Sequence, residues 1–137
     1  MAGIAERVRQ LNLPLDQVVV IGGGILDALN LRTANDVDLV FAPELFAQIV
    51  RRPDWQVTVK HGLDTPQGEL VVMQGDAEAF LSWGSEGRPN FAQLYEHGMT
   101  VDGVRFAHPE VVIDWKQQRG SDKDQCDIAL LQEYLAR

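Results

Sequence analysis

Three consecutive glycines that interrupt an apolar run, followed by two aspartates one residue apart, constrain this chain more than any other feature of it. The stretch runs from Val18 to Phe41, VVVIGGGILDALNLRTANDVDLVF. Val18 to Ile21 reads as a buried strand, the glycines as a tight turn, Ile25 to Leu31 as a short helix and Val37 to Phe41 as a second strand. Strand side chains alternate between faces, so Asp36 and Asp38 are expected on one side while Val37 and Leu39 face the core. Two carboxylates held so close repel each other unless a proton or a cation lies between them. A glycine turn leading into a helix presents backbone N–H groups to anions. The combination points to Mg²⁺ together with a nucleoside triphosphate.

A chain of 137 residues that is 45% hydrophobic suits one domain over 1–137 with its own core. Its net charge of -8 argues against a broad surface for duplex nucleic acid but leaves room for a local basic patch on a triphosphate. Cys126 is the lone cysteine, which excludes an internal disulfide framework. The opening MAGIAERVRQ lacks the apolar run of a signal peptide, and no segment has the length of a membrane span. A cytoplasmic protein with no membrane partner is the expectation.

Along the rest of the chain, residues 2–11 read as an amphipathic helix, and Pro43 opens another whose apolar face is Leu45, Phe46, Ile49 and Val50. Trp55 to Lys60 and Glu69 to Gln74 alternate as strands and should pair as an antiparallel hairpin around a turn from His61 to Gly68. Asp76 to Trp83 is ambiguous, and Gly84 to Asn90 reads as a loop. Asp102-Gly103 between MTV and VRF is a hairpin signal. Pro109 starts a helix that should stop at Arg119, because Gly120 supplies the left-handed residue past its end. Ser121 then caps a last helix through a box with Asp124, and Ile128, Leu131 and Leu135 form its expected buried stripe.

The glycines taken alone also fit two blander readings. VVVIGGG resembles the start of a dinucleotide-binding fingerprint, but Asp27 stands where the third glycine belongs and the acidic pair arrives too early. A plain tight turn is the other, just as an isolated Asp-x-Asp fits a solvent-facing strand edge. His61, His97 and His108 lack metal-ligand spacing, and Cys126 on the last helix reads as core. Trp55, Trp83 and Trp115 are scattered in a way that suits packing, with Phe80, Trp83 or Tyr95 left as groups that could flank a base.

Strand, Gly22-Gly23-Gly24, helix, Arg32-Thr33 and Asp36-Val37-Asp38 in that order resemble the polymerase-β-type nucleotidyltransferase superfamily, especially its small, minimal and abortive-infection-type members. A second block, WKQQRGSDKDQCDI, looks like the Lys…Arg-x-x-x-Lys/Arg-Asp-x-x-Asp motif of such proteins. Its residues here are Lys116, Arg119, Lys123, Asp124 and Asp127, and an exposed, salt-bridged helix pair is the other reading of it. The resemblance implies an α+β nucleotidyltransferase fold, a small mixed sheet flanked by helices with a C-terminal helix pair. It implies that Asp36 and Asp38 bind two Mg²⁺ ions, with Glu69 as third catalytic carboxylate and Asp76 as second candidate. Gly22, Gly23, Gly24, Arg32, Thr33, Lys116, Arg119 and Lys123 would hold the NTP, and Asp127 would orient Lys123. Asp27 would oppose phosphate if it faced that site. The implied activity moves a nucleoside monophosphate from an NTP to an unknown acceptor and releases pyrophosphate. The alternative is a catalytically inactive nucleotide-binding or protein-interaction module on the same fold, related to toxin–antitoxin proteins.

Overall fold

The computed structural model describes residues 3–61, 68–81 and 89–137. The first helix, α1 (Ile4–Arg9), buries Ile4, Ala5 and Val8, and a 3₁₀ turn at Leu15–Gln17 leads into β1 (Val18–Val20). Helix α2 (Gly24–Ala28), strand β2 (Val37–Phe41) and helix α3 (Pro43–Val50) follow. Pro43 fits the first turn of α3, where its missing N–H has no helical partner to lose. Next come β3 (Gln56–Lys60), β4 (Glu69–Gln74), β5 (Ala77–Phe80), α4 (Phe91–Glu96), β6 (Met99–Val101) and β7 (Val104–Phe106). The helices α5 (Pro109–Arg119) and α6 (Asp122–Leu135) close the chain.

The strands form one mixed sheet in the order β3-β4-β5-β2-β1-β7-β6. Two pairs, β2 with β5 and β1 with β7, are parallel, and the others are antiparallel. Val18, Val19, Leu39, Val40, Phe41 and Phe106 are buried at its centre, and Trp55 packs edge-on to Phe41 at 5.8 Å between ring centroids. The β3–β4 and β6–β7 hairpins, α5 with Gly120 at φ 70°, and the Ser121–Asp124 capping box match the sequence-based expectation. No helix among the described residues is long and apolar enough to cross a membrane.

Four expectations are corrected. Helix α2 ends earlier than Leu31, because Asn30 turns left-handed at φ 60°. The N–H groups of Asn30 and Leu31 then reach back to the carbonyls of Asp27 and Leu26, at 3.0 and 2.8 Å, which closes the helix end. Asp36 lies one residue before β2 and not on it. The buried stripe of α6 is Asp124, Asp127 and Leu131, while Leu135 is 40% exposed and Cys126 is exposed. Helix α4, which no apolar periodicity announced, is nucleated by a capping box between Asn90 and Gln93. Trp83, most of the His61 to Gly68 turn and most of the Gly84 to Asn90 loop lie outside the described residues.

Candidate functional site

Strand β1 ends where β2 begins, since the Ile21 N–H donates to the Asp38 carbonyl at 2.9 Å. The chain must turn away immediately, and Gly22 does so at φ 66°, a conformation that costs a residue with a Cβ about 1–2 kcal/mol. A Cβ at Gly22 would stand 3.3 Å from Oδ2 of Asp38, and one at Gly23 would stand 2.6 Å from Nη2 of Arg32. The elbow is therefore lined by a carboxylate on one side and a guanidinium on the other. Gly24 lies so close to Val20 that its Cβ would meet Cγ1 of that residue at 2.5 Å, which keeps α2 tight on β1.

Asp38 is half-buried and has Glu78 directly beside it on β5, because the parallel register pairs these two residues. Burial first, and then the charges of Glu78 and Asp36, push the Asp38 carboxyl up to about 6, while Lys60 and Arg119 pull it back. Two carboxylates and two cations thus act on Asp38 in this corner. Neither Glu69 nor Asp76, the two carboxylates that the sequence offered as a third, stands beside Asp38 on the sheet. Asp76 is 77% exposed and meets Arg7 at 3.6 Å. Glu69 lies opposite Lys60 at the start of β4, four residues before Met73, the residue level with Glu78. Glu78 was missed because its place depends on a long-range parallel pairing between β2 and β5. Its local signal was the alternation Ala77-Glu78-Ala79-Phe80, with both alanines buried.

The basic block divides. Arg32 makes a bidentate pair with Asp127, at 2.6 and 2.8 Å, and donates a third bond to the Thr33 carbonyl. Asp127 accepts from Lys116 as well, at 3.0 Å, and Lys116 also meets Asp124 at 3.3 Å. Burial would raise the Asp127 carboxyl, but Arg32 and then Lys116 outweigh it, and the group lies below the usual carboxylate range. The hydrogen bonds that Arg32 donates to Asp127 correspondingly raise Arg32. Lys116 is 4% exposed, and both acids it meets lie in this buried network. Asp127 orients Arg32 and Lys116, not Lys123 as expected. Arg119 remains half-exposed, 4.4 Å over the Trp115 ring and near enough to act on Asp38. Lys123 and Thr33 are exposed.

Two residues that the sequence did not single out, or read differently, hold the loop before β2. Asp27 accepts from the Ile4 N–H at 3.2 Å and the Ala34 N–H at 2.8 Å. Arg7 donates to the carbonyls of Ala34 and Asn35. With Arg32 held by Asp127, these bonds tie the segment carrying Asp36 to α1, α2 and α6. Gly23→Ala should drive Arg32 off Asp127 and lower stability by about 1–3 kcal/mol. Urea denaturation checks this, and an unchanged midpoint would mean that Arg32 can turn aside while keeping its partner.

No protein-family model and no curated protein matches the chain. Among solved structures it is similar to ANT(2")-Ia in complex with adenylyl-2"-tobramycin, an aminoglycoside nucleotidyltransferase. The identity is 19% and the TM-score 0.55, over 96% of this chain and 85% of that one. Joined to the mixed sheet, the flanking helices and the C-terminal helix pair, this likeness shows that the chain has the nucleotidyltransferase fold.

Proposed function

We propose that the chain is a metal-dependent nucleotidyltransferase that moves a nucleoside monophosphate from an NTP to a hydroxyl-bearing acceptor. The observation that carries this reading is the pairing of Asp38 with Glu78 against the Gly22–Gly23 elbow, with Asp36 acting on the same carboxylate. Asp36, Asp38 and Glu78 offer the carboxylate oxygens that a hard divalent cation takes, and burial first, then the charges of Glu78 and Asp36, push the Asp38 carboxyl up to about 6. Asp36, Asp38 and Glu78 are the residues that would hold Mg²⁺, whose charge would activate the acceptor hydroxyl and neutralise the triphosphate.

The chain's own groups do the positioning. Backbone amides of the elbow and the guanidinium of Arg32 offer donors to phosphate oxygens, and Arg32 costs little to hold in place because Asp127 already fixes it. Arg119 adds positive charge from the end of α5, and exposed Lys123 extends it. In the reaction the acceptor oxygen bonds to the α-phosphorus, the bond from that phosphorus to the bridging oxygen breaks, and pyrophosphate leaves with the electron pair. The hydroxyl proton passes to a site carboxylate. The adenylyl group on tobramycin in the ANT(2")-Ia complex is a product of this form, an AMP unit joined to an acceptor.

The test is a screen of the purified protein with four α-labelled NTPs, Mg²⁺ and a panel of hydroxyl-bearing acceptors. Pyrophosphate release and label transfer that stop with EDTA are expected. NTP binding that is unaffected by EDTA and never yields pyrophosphate would contradict the reading and favour the inactive module.

A further inference from the structure

Lys60 is the cation at the site whose place phosphate binding does not explain. It stands on β3, the edge strand, yet it reaches over β4 to Glu78 on β5. Its Nζ donates to both carboxylate oxygens, at 2.7 and 2.6 Å. The Glu78 side chain is 15% exposed and that of Lys60 49%, so the carboxylate is largely withdrawn from water while the ammonium is free to leave on its flexible stem. Among the described residues, no three His, Cys, Asp or Glu side chains stand close enough together to hold a metal ion. Yet register puts Glu78 next to Asp38, and Asp36 is two residues from it. A carboxylate with both oxygens on one ammonium is turned toward that ammonium, which leaves only its remaining lone pairs for a point shared with its neighbours.

We propose that Lys60 is a tethered cation that holds Glu78 in the metal-free protein and must swing out before Glu78 joins Asp36 and Asp38 as a ligand, so that this lysine sets the Mg²⁺ concentration at which the site fills. The inference rests on the metal-dependent reading of the site. An ion pair half open to water is weak enough for a divalent ion to displace. Lys60 is thus a positioning residue that acts through Glu78, and it links the metal site to the edge strand of the sheet.

Calorimetric titration of the full chain with Mg²⁺ alone, and with Mn²⁺ alone, tests this without any turnover. Lys60→Met should bind about tenfold tighter than wild type, the change expected from removing a competing unit charge a few ångströms away. Lys60→Arg, which restores a charged donor to both oxygens, should bind like wild type. In a Glu78→Gln background Lys60→Met should gain clearly less than tenfold, because only the weaker pull of Lys60 on Asp38 is then lost. Equal or weaker binding by Lys60→Met would overturn the proposal and leave the metal-dependent reading standing. So would the same tenfold gain in the Glu78→Gln background, which would mark a general charge effect. Absence of binding by both wild type and Lys60→Met, with both folded by circular dichroism, would overturn the metal-dependent reading itself and this inference with it.

Discussion

Asp38→Asn is expected to abolish turnover while making the protein more stable. Loss of a carboxylate that would hold the cation at the developing negative charge should lower the rate by about 10²–10³-fold or more. The stability gain has a separate origin. The Asp38 carboxyl is pushed up to about 6 by burial and by Glu78 and Asp36, so the folded protein holds its proton more tightly than the unfolded chain does. That preference stabilises the fold fully below about pH 4 and is lost as pH rises through about 6, where the folded protein must ionise a crowded, half-buried group. At pH 7 the loss is complete, about 2–3 kcal/mol, and asparagine is spared it. Urea denaturation should show wild type and Asp38→Asn converging near pH 4 and separating in favour of the variant by pH 7. A variant less stable at pH 7 would show that Asp38 holds the fold together and is not a strained functional group.

The second large effect lies on the other side of the elbow. Asp127→Ala should cost about 3–5 kcal/mol, because it leaves the ammonium of Lys116 buried with Asp124 alone and strips Arg32 of its bidentate partner. Lys116→Met should cost a comparable amount by leaving two buried carboxylates with one cation fewer. The pH signature is opposite to that of Asp38. For Asp124, burial pushes the carboxyl up, but Ser121, Arg119 and Lys116 together hold it low, as Arg32 and Lys116 do for Asp127. Both acids therefore stabilise the fold above about pH 4, and that contribution is lost as pH falls through their depressed values. The wild type should weaken in acid, and Asp127→Ala should weaken less over the same range. Denaturation midpoints at pH 7 and pH 3 check both statements, and a loss in Asp127→Ala below 1 kcal/mol at pH 7 would contradict the buried-network assignment.

What could be read from the sequence was local. The elbow and the place of Asp38 were legible because glycine conformation and strand alternation act within a few residues of one another, whereas Asp36 lies just off the strand whose parity was expected to place it. The β6–β7 turn, the stop at Gly120 and the Ser121 cap were legible for the same reason. Glu78 was not, since Ala-Glu-Ala-Phe has weak strand preference and its importance comes from a partner forty positions earlier. Helix α6 misled in a different way. Its buried face includes Asp124 and Asp127, which any apolar pattern counts as solvent-facing, and only the cations from α5 and from the segment after α2 explain their burial. Lys116 was expected at the triphosphate for its charge, but the same charge is what lets two acids enter the interior.

The central claim is that Asp36, Asp38 and Glu78 share one cation beside the Gly22–Gly23 elbow. Anomalous diffraction from crystals grown with Mn²⁺ and a non-hydrolysable NTP tests it most directly. A manganese peak ligated by all three carboxylates is expected, with Lys60 turned away from Glu78 and the triphosphate against the elbow and Arg32. A peak that excludes Asp38, or a nucleotide seated elsewhere on the sheet, would contradict it.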